Sequence, residues 1–277
     1  MKKIIVPIDF SKHSEYALET AAIMAKKNNA EILALHMLEM ANNMLIDSDD
    51  EQNMQAVFFM KLAEKKFKEF LERDYLKDVT VTPIVKHFKV FREVNDVAKE
   101  HNADLIVMGS HGASGLAEIF VGSNTEKVVR NADVPVLIVK QKPVDVTFET
   151  VVFACDFSET MIAPYLKLCQ FFENSSSNLK LLYVNLPGER FKNSTEMEAA
   201  VANFLQKAEG NLDKLNEINY ISDYTVEEGV FTFANIVGAD LIAIPTHGRK
   251  GISHFFAGSI GEDIANHSTL PVITFKI

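Results

Sequence analysis

The stretch MGSHGASGLAEIFVGSNTEKVVRNADVPVLIV, Met108 to Val139, decides how this chain is read. Gly109, Gly112 and Gly122 punctuate it with the spacing G-x2-G-x9-G, Ser123 follows at once, and an apolar run closes it. Gly109 would let the backbone come close to a ligand, Gly112 would permit a positive φ, and Gly122 would open a helix whose free N–H groups face an anion. Ser123-x-x-Glu126 ahead of Val128 and Val129 reads as a capping box at that helix start. Taken alone, the same glycines equally describe two turns and a capped helix with no ligand.

The stretch is one of a pair. IIVPIDFS (4–11) returns as VVFACDFS (151–158), 147 residues on, and ADLIVMGSHG (103–112) returns as ADLIAIPTHG (239–248), 136 residues on. The chain is a duplication whose first copy is longer, and much of the surplus falls in the acidic MANNMLIDSDDEQNMQ (40–55). The seam is QKPVDVTFET (141–150), which places the domains at 1–144 and 145–277.

In each copy short apolar runs alternate with amphipathic stretches, the pattern of parallel strands joined by crossover helices and hence an α/β fold. The expected strands are IIVPI, ILAL, TVTPIV, DLIVM and PVLIV, then VVFAC, LKLLYV, DYTVEE, DLIAI and PVITF. A first helix over about 11–28 puts Leu18, Ala21, Ala22 and Ala25 on one buried face. Pro83 inside TVTPIV removes a ladder donor, which predicts an edge strand. In such sheets ligands bind beyond the carboxyl ends of neighbouring strands whose connections diverge, so Asp9 after the first strand and the glycine loop after the fourth would face one cleft.

Composition excludes several classes. A net charge of −10 without a basic run argues against nucleic acid and anionic membranes as partners. No run approaches a membrane span, and MKKIIVPIDF reaches Asp9 after too few apolar residues for a secretory leader. Cys155 and Cys169 have no CxxC spacing, so neither a disulfide framework nor a zinc site is expected and both read as core residues in a reducing cytoplasm. There is no GxxxxGK[ST], and the first strand leads into DFSKHS rather than GxGxxG, which excludes P-loop and dinucleotide-binding sites.

With the Asp9 strand and the whole Gly109–Ser123 loop in view, the chain resembles the universal stress protein family in its tandem form. The motif G-x2-G-x9-G-[ST], followed by the strand that begins Pro135, Val136, Leu137, carries the resemblance, and both halves take part. The resemblance implies two repeated open-twisted five-stranded parallel sheets in the order 3-2-1-4-5 with helices on both faces, an adenine nucleotide alpha hydrolase-like fold. It also implies ATP as ligand, with Mg2+ able to accompany the phosphates. Pro7, Ile8 and Asp9 would border base and ribose, and Met37 would offer main chain to the adenine. Met108, Gly109 and Gly112 would line the ribose and phosphate path, and Gly122, Ser123, Asn124 and Thr125 would hold the phosphates. The last strands of the two copies would meet across a pseudo-twofold, an intramolecular pseudo-dimer, with a homodimer and unidentified protein partners left open.

The copies deviate in complementary ways. The second has Pro245 in place of the first glycine and Ala154 in place of Pro7, with Gly248 and Gly258 retained and Arg249, Lys250 and His254 added; the first keeps its glycines but has Ala113 and Glu118 and no loop lysine or arginine. The first copy is therefore the expected nucleotide site and the second a degenerate or repurposed one. His111 and His247 hold equivalent loop positions without the spacing of a triad, and no HExxH is present. Phe58, Phe59, Phe67 and Phe70 read as packing, and Asp47 to Glu51 as a solvated loop. The function expected is ATP binding in a stress-response or regulatory module with little or no turnover. Slow Mg-dependent ATP hydrolysis and a nucleotide-free scaffold are the alternatives.

Overall fold

The computed structural model of the chain describes residues 1–38, 49–87, 92–110, 123–144, 146–246, 264–265 and 267–277. The first repeat runs β1 (Lys3–Pro7), α1 (Lys12–Asn28), β2 (Glu31–Leu38), α2 (Asp49–Leu71), β3 (Val81–His87), α3 (Arg92–Glu100), β4 (Leu105–Gly109), α4 (Ser123–Asn131) and β5 (Val136–Val139). The second runs β6 (Thr150–Ala154), α5 (Ile162–Phe172), β7 (Asn178–Asn185), α6 (Ser194–Glu209), β8 (Asn219–Ser222), α7 (Val226–Val237), β9 (Leu241–Thr246) and β10 (Val272–Lys276). Strand order is β3-β2-β1-β4-β5 in one repeat and β8-β7-β6-β9-β10 in the other, the α/β arrangement expected.

Local chemistry explains the elements. Ser11 caps α1, its hydroxyl oxygen accepting from the Ser14 N–H at 3.2 Å, while Lys26 and Lys27 complement the dipole of the last turn and Asn29 closes it at φ 50°. Leu18, Ala21, Ala22 and Ala25 are buried as their spacing predicts. Each ADL motif uses its aspartate in the same way: Asp104 accepts the Lys3 N–H at 2.9 Å and Asp240 the Thr150 N–H at 2.8 Å, pinning the fourth strand of each repeat to the first. Pro83 lies opposite Ala34 in β3, an edge strand paired to β2, so its missing N–H leaves no ladder bond unmade.

The chain divides into two compact units. One carries β1 to β4; the other carries Val129–Ile138, with most of β5, and everything from Thr147. In that second unit β5 and β10 pair antiparallel, Val136 opposite Thr274 and Ile138 opposite Val272, and the Lys276 ammonium reaches Asp133 at 2.8 Å. Two apolar last strands thereby cover each other's edges.

Three readings are corrected. DYTVEE is not the third strand of the second repeat: β8 ends at Ser222, and Thr225 is the N-cap of α7, with Glu227 and Glu228 in its first turn. Carboxylates at a helix N-terminus are favoured by the dipole, so the threonine and valine of that stretch belong to a cap and not to an extended run. The backbone of Asp49–Glu51 is helical, the opening of α2. Of the four phenylalanines, Phe67 and Phe70 are buried, but Phe58 is 63% exposed and Phe59 38%.

Thr225→Ala removes the oxygen that accepts the Glu228 N–H at 3.1 Å. The expected loss is about 1 kcal/mol of unfolding free energy, read as a lower urea midpoint at unchanged slope.

Candidate functional site

The connection from β1 to α1 is a tight turn built from Asp9, Phe10 and Ser11. The Asp9 carboxylate accepts the Ser11 N–H at 3.0 Å, and Phe10 between them is left-handed at φ 63°. A non-glycine residue there costs about 1–2 kcal/mol. The Phe10 ring offsets it by packing against His36, Phe67 and Phe70, with centroids 4.6, 5.4 and 5.5 Å away, each such pair contributing about 0.5–1.5 kcal/mol. The turn leaves Asp9 exposed at the carboxyl end of β1, with Pro7 partly exposed and Ile8 buried beneath.

Beside it, β2 outlasts β1. Their ladder stops at Pro7 opposite Leu35, the Ile8 N–H donating to the Leu35 carbonyl at 2.7 Å, while β2 continues beside β3 to Leu38. Strand residues alternate with a period of two, so Met37 turns its main-chain N–H and C=O the way Leu35 does, into the space past the end of β1. Next to it, the His36 ring contacts the Ile8 carbonyl through Nδ1 at 2.7 Å; a carbonyl only accepts, so Nδ1 carries the proton. Burial holds the His36 imidazole below its ordinary pKa, against the upward pull of that bond.

On the other side of β1 stands the end of β4. Met108 is buried, and Gly109 has no room for a side chain: a Cβ there would lie 2.7 Å from the Cβ, C and O atoms of His13. The close approach that needs this glycine is to the first turn of α1. The Ser110 N–H donates to the Val139 carbonyl at 3.0 Å, and the buried Thr125 hydroxyl donates to the Gly109 carbonyl at 2.9 Å, which fastens the start of α4 to the end of β4. Asn124 is partly exposed in the same turn, and α4 opens at Ser123. Asp9, Met37, Gly109 and Thr125 thus gather at the carboxyl ends of β1, β2 and β4. Gly112 and Gly122 lie outside the described residues, with His111, Ala113 and Glu118; so do Asp47 and, in the second repeat, His247, Gly248, Arg249, Lys250, His254 and Gly258.

The second repeat copies the turn and fills the crevice. Asp156 accepts the Ser158 N–H at 2.9 Å and Phe157 is left-handed at φ 55°, its ring stacked on Tyr183, the counterpart of His36. The counterparts of Pro7, Ile8 and Met37 are Ala154, Cys155 and Val184, all buried. Gly229 of α7 sits so close that a Cβ on it would lie 2.6 Å from Val184 Cγ1. Asn185 clamps the next connection, accepting the Lys192 N–H at 3.1 Å and donating to the Lys192 carbonyl at 3.0 Å. Pro245 occupies β9 where Gly109 ends β4, and the second first helix begins with a 3-10 turn, Glu159–Met161, instead of an α-helical one.

The model of the universal stress protein family matches residues 1–140 and again 147–276. The chain belongs to that family. A universal stress protein of Methanocaldococcus jannaschii is 29% identical over 160 residues, 51% of this chain and 96% of that protein. The crystal structure of a universal stress protein from Archaeoglobus fulgidus covers 99% of the chain and 96% of its own at 21% identity and a TM-score of 0.64, a likeness of fold along both repeats. A universal stress protein solved in complex with cAMP matches 51% of this chain and 98% of its own at 23% identity and a TM-score of 0.33.

In this tandem universal stress protein, sequence reading singled out Asp9 and Met37 as candidates but not the residues behind them. The signal was present: DFS recurs with its phenylalanine in both repeats, and an aromatic ring, His36 or Tyr183, recurs five residues into the second strand of each. Cys155, buried at the end of β6, has its thiol pushed up by burial and is a packing residue. Among the described residues no three His, Cys, Asp or Glu side chains converge on a metal position, and no helix is long and apolar enough to cross a membrane.

Gly109→Ala forces the first turn of α1 away from β4, and a loss of about 1–3 kcal/mol is expected in urea unfolding. His36 supplies a pH test. Its folded pKa lies below the unfolded value, so the unfolded chain takes up the proton first and stability falls as pH drops below about 6.5, levelling beneath the folded pKa. His36→Tyr, which installs the second repeat's residue, is expected to remove that component from the pH dependence of the urea midpoint.

Proposed function

We propose that the first domain binds an adenine nucleotide, ATP, and that the protein is a regulatory stress-response module whose nucleotide occupancy modulates binding to other proteins, with slow or absent turnover. The observation that carries this reading is the main chain of Met37 on β2, turned into the space past the end of β1 where Asp9 is exposed. One N–H and one C=O side by side match the donor and acceptor of an adenine edge, and the exposed Asp9 carboxylate suits ribose hydroxyls. The phosphates would extend toward the start of α4, where Gly122, Ser123 and Asn124 offer helix N-terminal donors and where Mg2+ would accompany the tail. Thr125 would act there through Gly109, since its hydroxyl already donates to that carbonyl. The buried counterparts in the second repeat, Ala154, Cys155 and Val184, support one nucleotide per chain.

The test is chromatography of small molecules released from freshly purified, denatured protein, followed by calorimetry with ATP, AMP, adenosine and cAMP. One equivalent of ATP is expected, weakened about tenfold or more by Asp9→Ala. A blank extract together with no heat for any of the four ligands would overturn the reading and leave the scaffold alternative. Phosphate release with Mg2+ that vanishes in Asp9→Ala would make the domain an ATPase.

A further inference from the structure

The two repeats differ in charge where their first helices begin. After Ser11 come Lys12 and His13; after the matching Ser158 come Glu159 and Thr160. The glycine loops differ in the opposite sense. Residues 109–122 contain no lysine or arginine and include Glu118, whereas the second loop has Arg249 and Lys250. The charge present in one place is missing from the other, in both repeats.

The geometry gives this exchange a location. His13 Cβ lies 2.7 Å from where a Gly109 Cβ would be, so the histidine leaves α1 against the last residue of β4, with its ring 6.0 Å from that of Tyr16. Lys12 beside it is exposed and makes no ion pair among the described residues, while its counterpart Glu159 is engaged with Lys207. Glu15 in the same turn is held by Arg73 at 2.7 Å, which takes the nearest carboxylate of α1 out of competition.

We propose that His13, with Lys12 next to it, is the cationic contact for the phosphate tail of a nucleotide in the first domain, supplying from α1 what its glycine loop lacks. The inference rests on the nucleotide reading above. An imidazole donates to a phosphate oxygen in either protonation state, a lysine adds a full charge, and a charge-assisted bond of this kind is about twice as strong as a neutral one. The site therefore discriminates by phosphate: it holds ATP more tightly than adenosine through residues that do not touch the base.

Calorimetry with ATP and with adenosine tests this on the full chain. The double variant Lys12→Glu/His13→Thr, which installs the second repeat's residues, is expected to weaken ATP about tenfold or more, to leave adenosine within about twofold, and to flatten the salt dependence of ATP binding. His13→Ala keeps the Cβ that packs on Gly109 and decides the matter should the double variant not fold; His13→Lys is expected to retain tight ATP binding. An unchanged ratio of ATP to adenosine affinity in these variants, with wild-type binding intact, would overturn this inference alone. Failure of the wild-type chain to bind ATP would overturn the nucleotide reading and this inference with it.

Discussion

A phenylalanine held in a left-handed conformation sets the geometry at the end of each repeat's first strand. Phe10 and Phe157 lie at φ 63° and 55°, where an L-residue without a compensating contact is disfavoured, and in each case the ring is driven into aromatic side chains from the second strand and second helix. The reversal at that one residue exposes the preceding aspartate, brings the following serine to the helix cap, and starts the helix close against the fourth strand. Only the first repeat completes the pattern, because only Gly109 lets an α-helical turn approach that strand to within a backbone contact. Asp9, the start of α1 and the end of β4 are therefore one mechanical unit, and a change in any of them is felt by the other two.

Duplication left two copies of this unit under different constraints. In the first, Met37 and Pro7 stay partly exposed, and the ring behind them is an imidazole with its Nδ1 proton committed to the Ile8 carbonyl. In the second, Tyr183 stacks flat on Phe157, Val184 is buried against Gly229, and Asn185 fastens the chain that follows. In the second crevice the side chains at the positions of Pro7, Ile8 and Met37 are Ala154, Cys155 and Val184, apolar and buried. Cys155 among them is a small apolar side chain that fills the space at the end of β6.

The buried face of α1 and all strands but the third of the second repeat were legible because they follow from periodicity: Leu18, Ala21, Ala22 and Ala25 mark a helix face and Pro83 an edge without reference to anything distant, whereas the strand order came from the family resemblance. Readings that failed or were missed depend on contacts between remote positions. DYTVEE alternates well enough for a strand, and only the Thr225 cap with two carboxylates behind it tips the balance toward a helix. Phe58 is as apolar as any core residue, yet it is exposed while Phe67 and Phe70, further along α2, pack on Phe10. Gly109 was recognised as a position of close approach, but the partner, the backbone of His13, is 96 residues away in sequence and leaves no mark in a local pattern. Asp9 was singled out from its place after the first strand and Met37 through family resemblance; that Met37 lies on a strand that outlasts its neighbour emerges only when the register is known.

A net charge of −10 and a polyanionic ligand are compatible once distance is considered. At physiological ionic strength the screening length is about 8 Å, so most of the chain's carboxylates lie too far from a phosphate tail to repel it strongly. What such a tail would experience is local: the amides at the start of α4, the dipole and cations at the start of α1, and the Asp9 carboxylate near the ribose end. Of the carboxylates on α1 near that point, Glu15 is neutralised by Arg73. The global charge acts instead on encounter, slowing the approach of anions at low salt. A site of this kind separates ligands by where their charge sits, since charge helps only when it falls within reach of a few fixed donors.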